Sequence, residues 1–171
     1  MDFERLVQTR YSTRAYQDRP VEDEKMHLVL EAARLAPTAA NKQPFRLIVV
    51  TEPTVRAHMR AAYDRQWFYT APVIIIGVGV PSESWVRADG KNYNDVDVAI
   101  AMDHLTLQAA ELGLGTCWIA DFDADATRDV LHLPDHVEPV VLTPLGYPAD
   151  EPRVKRRKNL DQLVMRDRWT T

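Results

Sequence analysis

The sequence predicts a layered sandwich of helices and strands, α/β or α+β, and three observations carry that prediction. Short β-branched apolar runs recur at residues 46–51 (RLIVVT), 71–80 (APVIIIGVGV), 116–120 and 137–145. Segments with apolar residues at helical spacing alternate with them. Breakers stand at the junctions, at Pro37, Gly113, Gly146 and Pro148. Periodicity does not reveal the order of the strands in a sheet.

The elements follow in chain order. Asp2 is placed to cap a short helix carrying Phe3, Leu6 and Val7. Residues 10–16 read as extended and close at Pro20. Glu22 or Asp23 opens a second helix with Met26, Val29, Leu30, Ala33 and Leu35, ended by Pro37. After the first strand, Pro53 starts a helix through about residue 63. The second strand leads into a polar loop, 81–94, that carries Trp85 and Tyr93. Asp95 is expected to cap a long helix ending at Gly113. Apolar residues from Val96 to Ala110 cover nearly its whole circumference, so it must be buried on more than one side. Its own domain or a second subunit can provide the further cover. A third strand, a short helix at 125–131 and a fourth strand complete the series, followed by a tail with few helix or strand signals.

Composition narrows the function. The chain has 171 residues, 46% hydrophobic and 27% charged, which is enough for a core. Its formal charge of −4 does not favour nucleic acid or an anionic membrane. The acidic start lacks the basic-then-apolar order of a signal peptide, and the longest apolar run is far short of the ~20 residues of a spanning helix. A cytoplasmic protein is the expectation. The single cysteine, Cys117, excludes an intrachain disulfide, and with no cation beside it in sequence it reads as an inert core thiol. No histidine or cysteine spacing suits a metal, since Pro134 breaks the helix that would align His132 and His136. Hydrolase elbows, Walker loops and dinucleotide fingerprints are absent: Gly113 and Gly115 follow a helix where a fingerprint needs them after a strand.

Four sets of residues can carry chemistry. Arg10, Ser12 and Arg14 point to one side if their segment is extended, which suits a phosphate, although solvated residues after a helix end look the same. The run from Pro37 to Pro44 places Thr38, Asn41 and Gln43 on a rigid loop able to read the edge of a heterocycle, or forms an ordinary polar loop. Gly113 and Gly115 permit close backbone approach before Ile119 and Ala120. Arg153, Lys155, Arg156, Arg157 and Lys158 form a cation run that is either a local anion site or a solvated face. Without interleaved aromatics, this run does not read as a nucleic-acid patch.

The order of these sets along the chain is more specific than any one of them. RYSTR, APTAANKQPFRLIVV, APVIIIGVG, LQAAELGLGTCWIADF, LGYP and a basic stretch before NLDQLV together resemble the FMN-dependent nitroreductase family. The resemblance covers about residues 5–164. It implies an α+β fold with a central mixed or antiparallel sheet of about four to five strands flanked by helices. It also implies one domain over 1–171, with an extended C-terminal arm, 147–171, in a homodimer.

The resemblance further implies FMN as cofactor and NAD(P)H as electron donor. Arg10, Tyr11 and Ser12 match phosphate and ribityl contacts, and Arg14 the basic residue at the pyrimidine edge, where reduction places negative charge. Pro37, Thr38, Ala39, Asn41 and Gln43 match the loop that reaches the cofactor from the second subunit. Ile119 and Ala120 match the strand end whose amides lie near flavin N5, and Lys155 and Arg157 match tail residues that close over the phosphate. No side chain is implied as catalytic, because the cofactor carries the redox step. The implied reaction is ping-pong hydride transfer from the nicotinamide through N5 to a nitroaromatic, quinone or enone-like acceptor. Reductive dehalogenation, flavin fragmentation and non-catalytic flavin storage are the alternatives. Ala120 and Asp121 stand where relatives often have an acidic residue and a glycine. The short 81–94 loop implies an open pocket, with Trp67, Tyr69, Trp85 and Tyr93 as candidate substrate-lining aromatics.

Overall fold

A computed structural model describes residues 1–169. Asp2 caps α1 (Phe3–Thr9), its carboxylate accepting from the Arg5 N–H at 2.8 Å. α2 (Asp23–Arg34) begins after Glu22, and the chain then passes through the 38–43 loop into β1 (Phe45–Val50). α3 (Pro53–His58) has Pro53 in its first turn and Glu52 as cap. It ends sooner than its apolar spacing suggests, giving way to a tight 3-10 turn at Met59–Ala61 and then α4 (Gln66–Tyr69). β2 (Val73–Gly79) leads through the 81–93 loop to α5 (Asn94–Glu111). β3 (Gly115–Thr116), α6 (Ala124–Leu131), β4 (Glu138–Gly146) and α7 (Leu160–Leu163) follow.

The sheet is antiparallel in the order β1-β2-β4-β3. Ser12 adds a parallel bridge to Thr116, so the N-terminal extended segment lies along the outer side of β3 as a rudimentary fifth strand. β2 is central and buried along its whole length, and its alternation sorts the core into two layers. Val73 and Ile75 face α2 and α5, where they meet Val98, Met102 and Leu105. Ile74, Ile76 and Val78 face the opposite way, toward Met59, Phe68 and Ile119. Gly77 lets α5 come close: a Cβ there would lie 3.0 Å from both Met102 Cγ and Val98 Cγ1.

Its own domain covers α5 only in part. One side lies on the sheet and α2. The other opens on a groove of about 660 Å³, whose lining includes Phe3, Leu6, Leu28, Leu35 and Leu107. Leu35 is 63% exposed and Phe3 67% exposed within this one chain.

Two further details differ from the sequence reading. Asp95 does not cap α5: the helix begins at Asn94 after Tyr93, and Asp95 sits in its first turn. The third strand is two residues long, because the register places Cys117 opposite Pro144, which has no N–H to donate. Cys117 N–H turns instead to Thr143 Oγ1 at 3.1 Å, and the ladder resumes with Ile119 and Leu142. Among the described residues, no helix is long and apolar enough to cross a membrane.

The close seating of Asn94 on β2 gives the first test. A Cβ at Gly79 would lie 2.1 Å from Asn94 Oδ1, so Gly79→Ala makes the buried Asn94 side chain give way at the first turn of α5. The expected loss of stability is about 1–3 kcal/mol, read as a lower urea midpoint.

Candidate functional site

The two basic segments meet. Arg10, Ser12 and Arg14 from the extended segment, with Arg153, Lys155 and Arg157 from the tail, line one pocket of about 230 Å³. Backbone pairing builds its floor: Thr13 N–H donates to Thr116 O at 2.9 Å, which fixes the segment against β3. Gly115 is required at that crossing, since a Cβ there would lie 2.4 Å from the fully buried Thr13 Oγ1. Asp150 then ties the tail to the same segment, accepting from Arg14 N–H at 2.8 Å through Oδ2. The Tyr11 hydroxyl donates to Asp150 O at 2.8 Å, so Tyr11 lines the pocket with its hydroxyl already engaged.

The cations of this pocket lack anionic partners among the described residues. The ion pairs involve other groups, and the Arg10 guanidinium donates no hydrogen bond to the described residues. Lys155 donates to Val7 O at 2.8 Å and Gln8 O at 2.6 Å, closing the C-terminal end of α1. Burial, and then the positive charges of Arg10 and Arg157, push its ammonium below the ordinary lysine value. Three cations crowded together without a carboxylate form an arrangement that an anion relieves.

Cys117 lies beside this group. Burial pushes its thiol up, while Arg14, a Ser12 hydrogen bond and Arg10 pull it down, and burial prevails. The thiol is therefore protonated near neutrality, as its sequence setting implied. Cations do stand near it, however, brought by the fold from a distant segment.

Past Thr116 the sheet edge is open. Ile119 N–H donates to Leu142 O at 2.9 Å, so it is engaged within the sheet and cannot also face a ligand. Of the Ile119 and Ala120 amides expected near the cofactor, the first is thus bonded within the protein. Strand alternation turns the amides of Trp118 and Ala120 the other way, and among the described residues neither has a protein partner. Trp118 was not singled out from sequence. Alternation alone leaves open which set of amides faces outward, and the pairing of Ile119 with Leu142 decides it.

The 38–43 loop stands elsewhere. Ala39 N–H donates to Asp97 Oδ1 at 2.8 Å, which places the loop at the start of α5. The cation pocket adjoins a cavity lined by Arg10, Tyr11, Ala110, Gly113 and Gly115, at the end of α5. An 18-residue helix is about 27 Å long, so one protomer keeps the two sets apart. Pro37 and Thr38 lead into a 3-10 turn, and Thr38 Oγ1 accepts from Gln43 N–H at 3.0 Å. Asn41 and Gln43 are exposed.

The four aromatics divide. Trp67 packs edge-on to Tyr63, with ring centroids 5.8 Å apart, and Trp67 and Tyr69 pack against the second core layer. Trp85 and Tyr93 pack edge-on at 5.1 Å, in the loop that follows β2. That pair shares an end of the molecule with the 38–43 loop, because Val80 N–H donates to Pro44 O at 2.8 Å.

A polar clasp that sequence reasoning missed holds the base of the tail. The Tyr147 hydroxyl donates to Glu22 Oε2 at 2.6 Å and accepts from Lys25 Nζ at 2.8 Å. Lys25 also donates to Leu112 O at 3.2 Å, at the end of α5. The Tyr147 hydrogen bond, followed by main-chain and Arg19 contacts, lowers the Glu22 carboxyl from 4.5 to about 2.

A layered α+β protein with a cationic pocket at one sheet edge is the class that fold and site define. The chain belongs to the nitroreductase family, whose profile matches residues 7–68 and 52–147. A protein of Archaeoglobus fulgidus named as an NADH dehydrogenase/NAD(P)H nitroreductase is 30% identical, over 96% of this chain and 97% of its own length. The crystal structure of a nitroreductase family protein from Clostridium difficile 630 is 39% identical, with a TM-score of 0.93 over 99% of this chain and 100% of the other. An FMN-dependent nitroreductase from Clostridium difficile R20291 is 26% identical, with a TM-score of 0.80 over 96% and 98% of the two chains.

The clasp generates a pH prediction. A depressed carboxyl contributes stability above its unfolded value, which is lost as pH falls through the folded one. Tyr147→Phe therefore lowers the melting temperature at pH 7, and the deficit narrows as the pH drops from about 5 toward 2. Thermal unfolding across that range checks it.

Proposed function

We propose that this chain is an FMN-dependent NAD(P)H oxidoreductase that works as a homodimer. One observation carries the reading: cations from the two ends of the chain converge on a single pocket that holds no carboxylate. The residues fit FMN. Arg10, Arg157 and Ser12 would hold its phosphate and ribityl oxygens, and Lys155 would add charge from its place on α1. Arg14, close enough to Cys117 to act on its thiol, would set a fixed cation near the pyrimidine edge. The outward amides of Trp118 and Ala120 would donate to the rest of the ring. Bound FMN would supply the two-electron chemistry, taking hydride at N5 from NAD(P)H and passing it to a nitroaromatic, quinone or enone-like acceptor.

The separation of the two residue sets along α5 supports a dimer. A two-fold axis that pairs α5 antiparallel across the Leu107 groove would bring Ala39, Asn41 and Gln43 of one protomer toward the cation pocket of the other. Residues 1–171 then act as one domain, with the arm 147–171 closing over the phosphate. Trp85 and Tyr93, beside the incoming loop, are better placed than Trp67 and Tyr69 to touch an acceptor. The relatives' names support the nicotinamide donor and the flavin.

Three measurements test this. The purified protein is expected to be yellow, with its visible absorbance bleached by NADH or NADPH; a colourless protein that takes up no added FMN overturns the reading. Arg10→Ala is expected to weaken FMN binding by about 1.5–3 kcal/mol, the range for a hydrogen bond to a charged group, and an unchanged titration removes that assignment. Leu107→Arg is expected to halve the mass in solution and release the flavin together, and a monomer that retains FMN with native affinity rejects the shared site.

A further inference from the structure

Asp97 has an energetic oddity that the proposed site leaves unexplained. Its side chain is 1% exposed, in the first turn of α5. One oxygen accepts from Ala39 N–H at 2.8 Å, and the other has no partner among the described residues. Burying a carboxylate with a single neutral donor is unfavourable, even where the start of a helix offsets part of the charge. A serine or asparagine can satisfy one amide without that penalty.

What Asp97 holds is strained. Ala40, Asn41 and Gln43 adopt left-handed φ values of 49°, 53° and 52°. Non-glycine residues disfavour this region, and three within four positions mark a segment that its surroundings must hold in place. The loop's own bonds are Asn41 N–H to Thr38 O at 3.0 Å, Lys42 N–H to Ala39 O at 3.1 Å, Gln43 N–H to Thr38 Oγ1, and Gln43 Nε2 to Asn41 O and Oδ1, both at 3.2 Å; none of them ties it to α5. The base of the anchor is rigid, because Asn94, one turn earlier, lies directly on Gly79 of β2.

We infer that Asp97 is a positioning residue for ring recognition. Its buried carboxylate grips Ala39 and keeps the strained 38–43 loop in one conformation, so that the exposed amides of Asn41 and Gln43 meet a heterocycle edge already oriented. A charge-assisted bond serves this better than a neutral one, since it is shorter and stronger. Pre-ordering the loop raises affinity by removing the entropy lost on binding. The inference rests on the flavin reading and assigns Asp97 to the ring, with no share in the phosphate pocket at the other end of α5.

The test compares FMN with inorganic phosphate as the two probes. Asp97→Ala is expected to weaken FMN binding roughly tenfold and to alter the visible circular dichroism of bound FMN. The constant for phosphate competing with FMN stays unchanged. Asp97→Asn, which keeps a neutral and therefore weaker acceptor for Ala39, restores part of the affinity. Ala39→Pro removes the donor without touching α5, and Thr38 before it is already extended at ψ 156°. It is expected to reproduce the Asp97→Ala loss, and it decides the matter if Asp97→Ala does not fold. Variants that bind FMN as the wild type does, with an unchanged dichroic signal, overturn the inference. So does an equal loss of phosphate and FMN. Wild-type protein that binds phosphate but refuses FMN removes the flavin reading, and this inference with it. Wild-type protein that binds FMN beside unaffected variants removes the inference alone.

Discussion

The packing of α5 onto β2 is the contact from which the site takes its geometry. Gly77 admits Met102 and Val98 to the sheet face, and Gly79 admits Asn94 at the start of the helix. A helix held this closely cannot shift without either a steric clash or a void, because protein interiors pack at crystal-like density. Both ends of α5 are therefore fixed points. Asp97 fixes the 38–43 loop at one end, and Lys25, donating to Leu112 O, fixes the other end near the start of the tail. The two halves of the candidate site are set apart by the length of one rigid rod.

Electrostatics gives the pocket its character. Among the described residues five arginines pair with carboxylates, as Arg34 does with Glu31 and Arg60 with Asp64, while others, Arg5 and Arg65 among them, do not. Nor do Arg10, Arg14, Lys155 and Arg157. Asp150 lies close by, yet its carboxylate accepts from the Arg14 main chain and leaves the guanidinium free of it. The nearest acid thus orders the backbone without neutralising the pocket. A protein selected for stability alone gains nothing from such like-charge crowding, whereas an anion site requires it.

The tail illustrates the opposite economy. Val154, Leu160 and Trp169 are 92%, 76% and 80% exposed, and α7 buries nothing within its own chain. Its conformation is local, set by the reciprocal Asn159 and Gln162 capping box. Only the junction is anchored, by the Tyr147 clasp, by Asp150 and by Lys155 on the end of α1. The arm accordingly behaves as a segment fixed at its root, with apolar side chains free to be covered by another surface.

Much of this was legible in the amino-acid order, and the reason is range. Elements specified by neighbours a few residues apart declare themselves: the Asp2 cap, the β-branched run of β2, the glycine stop at Gly113. Arg10, Ser12 and Arg14 share a face because the two-residue period of extended chain requires it. Pro144 was equally readable, yet its effect on β3 needed the register that sets it opposite Cys117. Asp97 sits four residues before Ala101 and eight before Leu105, a spacing that assigns it to the buried stripe. Sequence could not show that its partner is an amide 58 residues away. What the sequence by itself determined is the family, the element list and the chemical kinds of its ligand-ready residues, since these depend on local pattern and motif order. Which cations meet, which amides face outward and which loop stays a helix length away were decided only by the tertiary structure, because those relations exist only once the chain has closed on itself.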